Sequence, residues 1–390
     1  MSAPPAGLNA DVLAVASPPI PEARSWAGRY GGEHGPVLDL TQAVPGYPPH
    51  PELVRHLSAG AAEAASYGYG NITGDLALRE RYAAEVSALY AGTVGPDEVA
   101  ITTGANMASF AVTMLLARSG DTVMLPVPWY FNHQMNAGLL GIGVVPLPCR
   151  AENGFVPDPA EAEGLVGPGT RAVLLVTPNN PTGAVYPAAV IQAFADLCRR
   201  RGLWLILDET YREFRADGGA PPHDLFREPW QEHVIQLCSF SKSYCVPGFR
   251  AGAVVAGAGL MPELTKILDC LQICAPRVTQ AGLAWAIDAL RGWREGNRAL
   301  MAGRAAACRR AFAGLEGWKV DAQGAYFAYL RHPFPERSSW QVAEALAVER
   351  GLIALPGAAF GPGQDRYLRL AFANVDEAGI VEAARRLAEA

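Results

Sequence analysis

Ser239-Phe240-Ser241-Lys242-Ser243-Tyr244-Cys245-Val246-Pro247-Gly248-Phe249-Arg250-Ala251-Gly252 is the stretch on which the reading of this chain turns. Of the 32 lysines and arginines in the 390 residues only three are lysine, and Lys242 is one of them. A composition that uses arginine for nearly every cation has kept an amine at this position. Arginine replaces lysine as a charge, but its guanidinium stays protonated and cannot form a Schiff base. An amine that sheds its proton can attack an aldehyde carbon, so Lys242 is a candidate covalent anchor. Taken alone, it fits equally well a solvated lysine after a strand.

Working outward, Val234–Cys238 just before this stretch is one of six short apolar runs of β type, with Val123–Leu125, Val144–Leu147, Ala172–Val176, Leu203–Leu207 and Ala253–Val255. Helical patterns at Asn106–Ala117, Pro187–Arg201 and Leu260–Ile273 alternate with them. That alternation predicts an α/β fold, a large domain with a mainly parallel sheet between helices. A helix over Asp75–Tyr90 precedes it, and a long Ala-rich helical stretch, Val278–Leu315, closes it. The tail carries strand patterns at Tyr326–Leu330, Leu352–Ala354 and Tyr367–Leu370, and helices at Trp340–Glu349 and Asp376–Ala388, which reads as a smaller α+β domain. The expected division is an N-terminal arm over residues 1–35 with a short helix near Leu8–Ala16, a large domain over 36–315 whose start packs with the small domain, and the small domain over 316–390.

The bulk numbers suit a compact enzyme: 50% hydrophobic residues, 18% charged, and a net charge of −6 that argues against a nucleic-acid or anionic-membrane surface. No apolar run reaches membrane-spanning length. The seven cysteines include no CxxC pair, and the seven histidines no HExxH or HxH grouping, so no metal site is expected. The N-terminus lacks a basic region followed by an apolar stretch, and reduced thiols in a cytoplasmic protein are the expectation.

Four clusters fall at predicted strand ends, where ligands bind in open parallel sheets. Thr102-Thr103-Gly104-Ala105-Asn106 runs into an apolar helix and exposes backbone N–H groups suited to a phosphate, although an ordinary helix cap looks similar. In Val176-Thr177-Pro178-Asn179-Asn180-Pro181-Thr182-Gly183 the prolines fix φ and exclude helix, so the Asn180 amide can be held rigidly towards a ligand; the alternative is a surface turn. In Leu205-Ile206-Leu207-Asp208-Glu209-Thr210-Tyr211 a carboxylate leaves an apolar strand poorly solvated and needs a cationic partner, unless Asp208 only caps a helix. Tyr211 reaches the same place with its hydroxyl. The fourth is the lysine stretch, where Ser239 and Ser241 offer hydroxyls, Arg250 a bidentate phosphate clamp, and Gly248 the turn that brings Arg250 back.

Phosphate donors, a partner for a pyridinium, a partner for a phenolic oxygen and an amine are together what pyridoxal 5′-phosphate needs. From about Leu38 to the C-terminus the chain resembles the class I/II aminotransferases, of the fold type I family of pyridoxal-phosphate enzymes. The resemblance implies that the large domain binds pyridoxal 5′-phosphate, with Lys242 as covalent anchor and then as the base moving a proton between the substrate Cα and the cofactor C4′. It implies that Asp208 pairs with the pyridine nitrogen and that Asn180 and Tyr211 bond the phenolic oxygen. Gly104, Ala105, Asn106, Ser239 and Arg250 would hold the phosphate. Tyr130, in Val127-Pro128-Trp129-Tyr130-Phe131-Asn132-His133, would lie over the ring, with Trp129 its rival. Tyr69 would reach the phosphate of a neighbouring subunit, which requires a homodimer with shared active sites. Arg369, in Tyr367-Leu368-Arg369-Leu370-Ala371-Phe372, would grip the substrate α-carboxylate, with Asn180 and Ala43 beside it.

The implied activity is a ping-pong exchange of an amino group between an L-α-amino acid and a 2-oxo acid. The same fold and lysine also serve lyases, decarboxylases, oxidases and cyclases. Three departures bear on the substrate: Ala43 stands where the family usually has glycine, Cys245 where Gly, Ala or Ser is common, and Arg277 is out of register with the arginine that dicarboxylate-specific members use. Two other classes fail. Gly68-Tyr69-Gly70-Asn71-Ile72-Thr73-Gly74 suggests a dinucleotide site, but its last glycine comes one residue late and no buried strand precedes it. A DNA-binding regulator needs an N-terminal module that 35 weakly basic residues cannot supply.

Overall fold

The computed structural model describes residues 7–216 and 221–390, so the first six residues of the expected arm lie outside the described residues. A two-residue strand, β1 (Leu38–Asp39), is followed by the seven strands of the large sheet: β2 (Val99–Thr102), β3 (Thr122–Val127), β4 (Gly143–Pro148), β5 (Thr170–Val176), β6 (Trp204–Asp208), β7 (Val234–Ser239) and β8 (Gly252–Val255). Their spatial order is β2-β8-β7-β6-β5-β3-β4. Neighbours are parallel except at β8, which runs against both β7 and β2. Six of the seven strands therefore point the same way, and their carboxyl ends open on one side. β5, β6 and β7 are buried along nearly their whole length, which their unbroken apolar runs require of strands covered on both faces. β4 is one edge. The amides of Gly143 and Cys149 bond to Asp121 and Val127 beside it, so its odd-numbered N–H groups face β3 and its even-numbered ones face outward.

The second sheet is antiparallel, in the order β12-β13-β10-β9, from β9 (Lys319–Gly324), β10 (Phe327–Arg331), β12 (Leu355–Pro356) and β13 (Tyr367–Ala371). Between these lies β11 (Leu352–Ile353), which pairs in parallel with β1. Its core takes Leu330, Leu346, Leu368 and Ile380, and also Ala23, Trp26 and Leu40 from the N-terminal segment. The molecule is thus a mainly parallel sheet flanked by helices plus a separate antiparallel-sheet domain.

Every expected strand of the large sheet is present, and β2 is an addition, an edge strand that exists through its pairing with β8. β9 was also not expected, because Lys-Val-Asp-Ala-Gln-Gly has little β character and pairs only as the partner of β10. The stretch expected as one long helix is two, Arg277–Ala289 and Arg291–Phe312, divided at Leu290. Leu283, Ile287 and Leu290 pack into the large-sheet core, whereas Cys308 and Phe312 pack into that of the small sheet. The chain must change direction between the two. At the N-terminus the expected helix is shorter, Ala10–Ala14, and a second one, Pro19–Trp26, carries Ala23 and Trp26 into the small-sheet core. Among the described residues no helix is long and apolar enough to cross a membrane.

Candidate active site

The ends of β2, β3, β5, β6 and β7 surround a cavity of about 340 Å³. Ser239, last in β7, starts a one-turn helix, Phe240–Ser243, and its hydroxyl accepts from the Ser241 amide at 3.2 Å. That turn aims Lys242 into the cavity, where its Nζ donates to the Ala43 carbonyl at 2.7 Å. Burial, with Arg250 and Arg369 nearby, pulls the Lys242 amine down to about 8. The segment then reverses at Cys245 (φ 56°) and Arg250 (φ 50°). Gly248 is not the turning residue that the sequence suggested. It lies in the short helix Pro247–Phe249, and the left-handed backbone falls on two side-chain-bearing residues.

Asp208 ends β6 and is only 5% exposed. Its Oδ1 accepts the Thr210 amide at 3.0 Å, and its Oδ2 lies 3.0 Å from His133 Nε2. His133 Nδ1 is 2.8 Å from the Ser109 hydroxyl, which accepts from Asn136 Nδ2 at 3.3 Å. His133 thus bridges the Ser109 hydroxyl and the Asp208 carboxylate, one through each ring nitrogen, and orients the carboxylate in the cavity. Sequence reasoning quoted His133 but gave it no role. The signal was its spacing, three residues after Tyr130 at the start of the helix Phe131–Leu139, which puts both on one face.

Ala105 and Asn106 open the helix after β2 and line the cavity, and Asn106 Oδ1 accepts from the Tyr130 hydroxyl at 3.3 Å. Gly104 has φ +90°, and a Cβ there would run into the Arg250 guanidinium. Arg250 donates to the carbonyls of Pro247 (2.9 Å) and Thr103 (3.3 Å), which points its fork at this helix start. Tyr130 lines the cavity, whereas Trp129 packs against Gly361 on another side. Tyr211 lines it too, and burial pushes its phenol up.

Asn180 is 4% exposed, and its Oδ1 accepts from Arg369 Nη1 at 3.1 Å. Arg369 sits on β13 opposite Tyr329, is 2% exposed, and also donates through Nη2 to the Thr41 carbonyl. Its guanidinium lies between the Phe327 and Phe360 rings, at 5.2 and 5.4 Å, and its Nε has no hydrogen-bond partner among the described residues. Close passage of the two sheets permits this. Gly183, in the turn after Asn180, has φ +75° and lies so near Gly324 that a Cβ would collide with its backbone. Ala43 is buried and touches Lys242 through its carbonyl. Tyr69 stands apart, 80% exposed, away from this chain's own cavity. Arg277 also stays outside and pairs with Asp75 at 3.3 Å.

This arrangement agrees with what the chain resembles among known proteins. The sequence pattern of the family aminotransferase class I and II matches residues 36–387. The chain is 32% identical over 330 residues to arginine–pyruvate transaminase AruH of Pseudomonas aeruginosa, covering 83% of this chain and 82% of that protein. It is 30% identical over 299 residues to aromatic aminotransferase ISS1 of Arabidopsis thaliana, covering 74% of each. Among solved structures, aspartate aminotransferase from Thermus thermophilus with maleate has the same fold, with a TM-score of 0.89 at 24% identity over 98% of this chain and 99% of that one. A family match running from residue 36 to residue 387, on a fold whose strand ends open around Lys242, decides the class: the chain belongs to the class I and II aminotransferases and is a transaminase.

Proposed function

We propose that the cavity binds pyridoxal 5′-phosphate at Lys242 and that the enzyme passes an amino group between an L-α-amino acid and a 2-oxo acid. The observation that carries this reading is the pairing, in one cavity, of an amine drawn down to about 8 with a buried carboxylate oriented by His133 and the Thr210 amide. The Asp208 carboxylate would suit a protonated ring nitrogen. The close fit of Gly104 to Arg250, at a helix start rich in N–H groups, suits a phosphate. When bound, pyridoxal phosphate supplies an aldehyde carbon for the amine and a conjugated ring that accepts electrons from a bond broken at the substrate Cα.

The protein's own residues do the rest. Asp208 would face the ring nitrogen, with His133 fixing its orientation. Asn180 and Tyr211 would donate to the phenolic oxygen, and Tyr130 would cover the ring face. Ala105, Asn106, Ser239 and Arg250 would hold the phosphate. Arg369, with Asn180 and Ala43 beside it, orients the α-carboxylate so that the Cα proton faces Lys242. The Lys242 amine would take up and give back that proton, a task its lowered pKa favours near neutrality. The test is to mix the holoenzyme with single L-amino acids. Bleaching of its visible absorption, with one equivalent of 2-oxo acid and no ammonia, supports transamination. Ammonia release, or loss of a β-substituent, would support a lyase instead.

We further propose a homodimer with shared sites. Tyr69 (80% exposed), Tyr67 (75%), Phe249 (42%) and Ile273 (43%) are large apolar side chains open to solvent, and Phe249 adjoins Arg250 in sequence. The Gly70 amide contacts Cys274 Sγ at 3.3 Å, which joins the tyrosine loop to Ile273. Tyr69 would then bond the phosphate in the partner subunit. Tyr69→Phe is expected to weaken cofactor retention by about tenfold or more, the worth of one hydrogen bond to a charged group. Dialysis against buffer, with sedimentation to follow assembly, checks this; full activity in a monomer would count against it. All seven cysteines are free, which fits a reducing cytoplasm. We keep the division into an arm (1–35), a large cofactor-binding domain (36–315) and a small domain (316–390), with Ala23, Trp26 and Leu40 belonging to the small-sheet core.

A further inference from the structure

Two cations, Lys242 and Arg250, line the cavity, a third, Arg369, bonds to Asn180 of its wall, and on the reading proposed above each has its task. Arg250 meets the phosphate, Lys242 works at Cα, and Arg369 meets the α-carboxylate. Among the described residues no further lysine or arginine lines the cavity. A second substrate carboxylate would enter it without a cation from this chain, and burying an unpaired charge is costly.

The segment Thr41-Gln42-Ala43 reaches the cavity through Gln42. The Thr41 carbonyl accepts from Arg369, and the Ala43 carbonyl accepts from Lys242. Residue 42 therefore lies between the group that grips the α-carboxylate and the amine that works at Cα. A substrate held at both points would lie beside this segment. Gln42 lines the cavity, is partly exposed, and has a carboxamide that no hydrogen bond engages among the described residues. A free carboxamide offers two donors and an acceptor, and no charge.

We propose that Gln42 reads the substrate side chain and selects neutral amino acids with a hydrogen-bonding side chain, an amide foremost, over dicarboxylic ones. This rests on the aminotransferase site described under Proposed function. A site built to hydrogen-bond a substrate group discriminates against analogues that lack it, because its own polar atoms are then left unpaired.

The test uses three probes, L-glutamine, L-glutamate and L-leucine, each reacted singly with the holoenzyme and followed by its visible absorption. Glutamate has nearly the shape of glutamine but adds a charge, and leucine removes the hydrogen bonds. Glutamine is expected to exceed both by about tenfold or more in kcat/KM. Gln42→Leu should erase that preference mainly through KM, lowering glutamine by about tenfold while leucine holds or gains. Gln42→Arg should raise glutamate. Both variants should keep the cofactor absorption and melting temperature, which separates specificity from a folding defect. Glutamate reacting faster than glutamine in the wild type, or Gln42→Leu keeping the glutamine-to-leucine ratio within about twofold, would overturn the proposal. If no amino acid bleaches the absorption of the wild type, the underlying site reading fails as well, an outcome distinct from altered preference.

Discussion

Replacing Lys242 with alanine is expected to remove the visible absorption of the holoenzyme and to lower turnover by at least about 10²–10⁴-fold, the usual contribution of a positioned general base. Two separate jobs depend on that amine, and no neighbour can take either. The next cation, Arg250, stays protonated and is held by the carbonyls of Pro247 and Thr103. The lowered pKa gives a second arm to the test. Only the neutral amine attacks an aldehyde, so the rate at which cofactor-free protein captures pyridoxal phosphate should rise tenfold per pH unit and level off above about 8. An ordinary lysine would go on gaining until about 10.4. Stopped-flow absorbance across pH checks the plateau. Near-normal turnover in the alanine variant would remove the central assignment.

Arg369→Ala should separate substrate binding from cofactor binding. Its guanidinium is buried and oriented by Asn180 and Thr41, with the Phe327 and Phe360 rings on either side and Nε still open. An α-carboxylate has a forked, desolvated partner there. Each charged hydrogen bond is worth roughly 1.5–3 kcal/mol, so kcat/KM should fall by about two orders of magnitude or more while the cofactor absorption persists. Arg369→Lys should recover little, because an ammonium cannot present the fork or stack between two rings. Amines without a carboxylate should react equally poorly with both proteins. Loss of cofactor from the variant, or normal handling of amino acids, would make Arg369 a structural residue.

The large sheet was legible because β5, β6 and β7 are buried on both faces and therefore read as unbroken apolar runs. The residues that leave their ends were legible for a related reason: Asp208 and Asn180 are polar where the neighbouring pattern is not. β2 and β9 escaped because they exist through pairing with β8 and β10 rather than through their own sequence. The division at Leu290 escaped because helical periodicity continues through it, and only the separation of two cores requires a break. His133 and Gln42 were hidden for another reason. His133 ended a stretch chosen for its aromatic rings and Gln42 belonged to none, and each takes its place from what lies across from it, Asp208 for one and the Arg369–Lys242 pair for the other. Gly248 misled because glycine usually marks a turn, whereas here Cys245 and Arg250 adopt the left-handed backbone. Tyr69 could be placed only on the surface of its own chain, since what it would touch lies on another.

The free edge of the large sheet at β4 has a bearing on how these molecules meet. Of its three outward-facing amide positions, Val144, Pro146 and Pro148, two have no hydrogen to give. A strand from another molecule arriving there would find a single donor, too few to zip up a ladder. Sideways growth of the sheet past β4 is thus opposed by two imino acids, and encounters on the tyrosine-bearing face meet no competition from that edge.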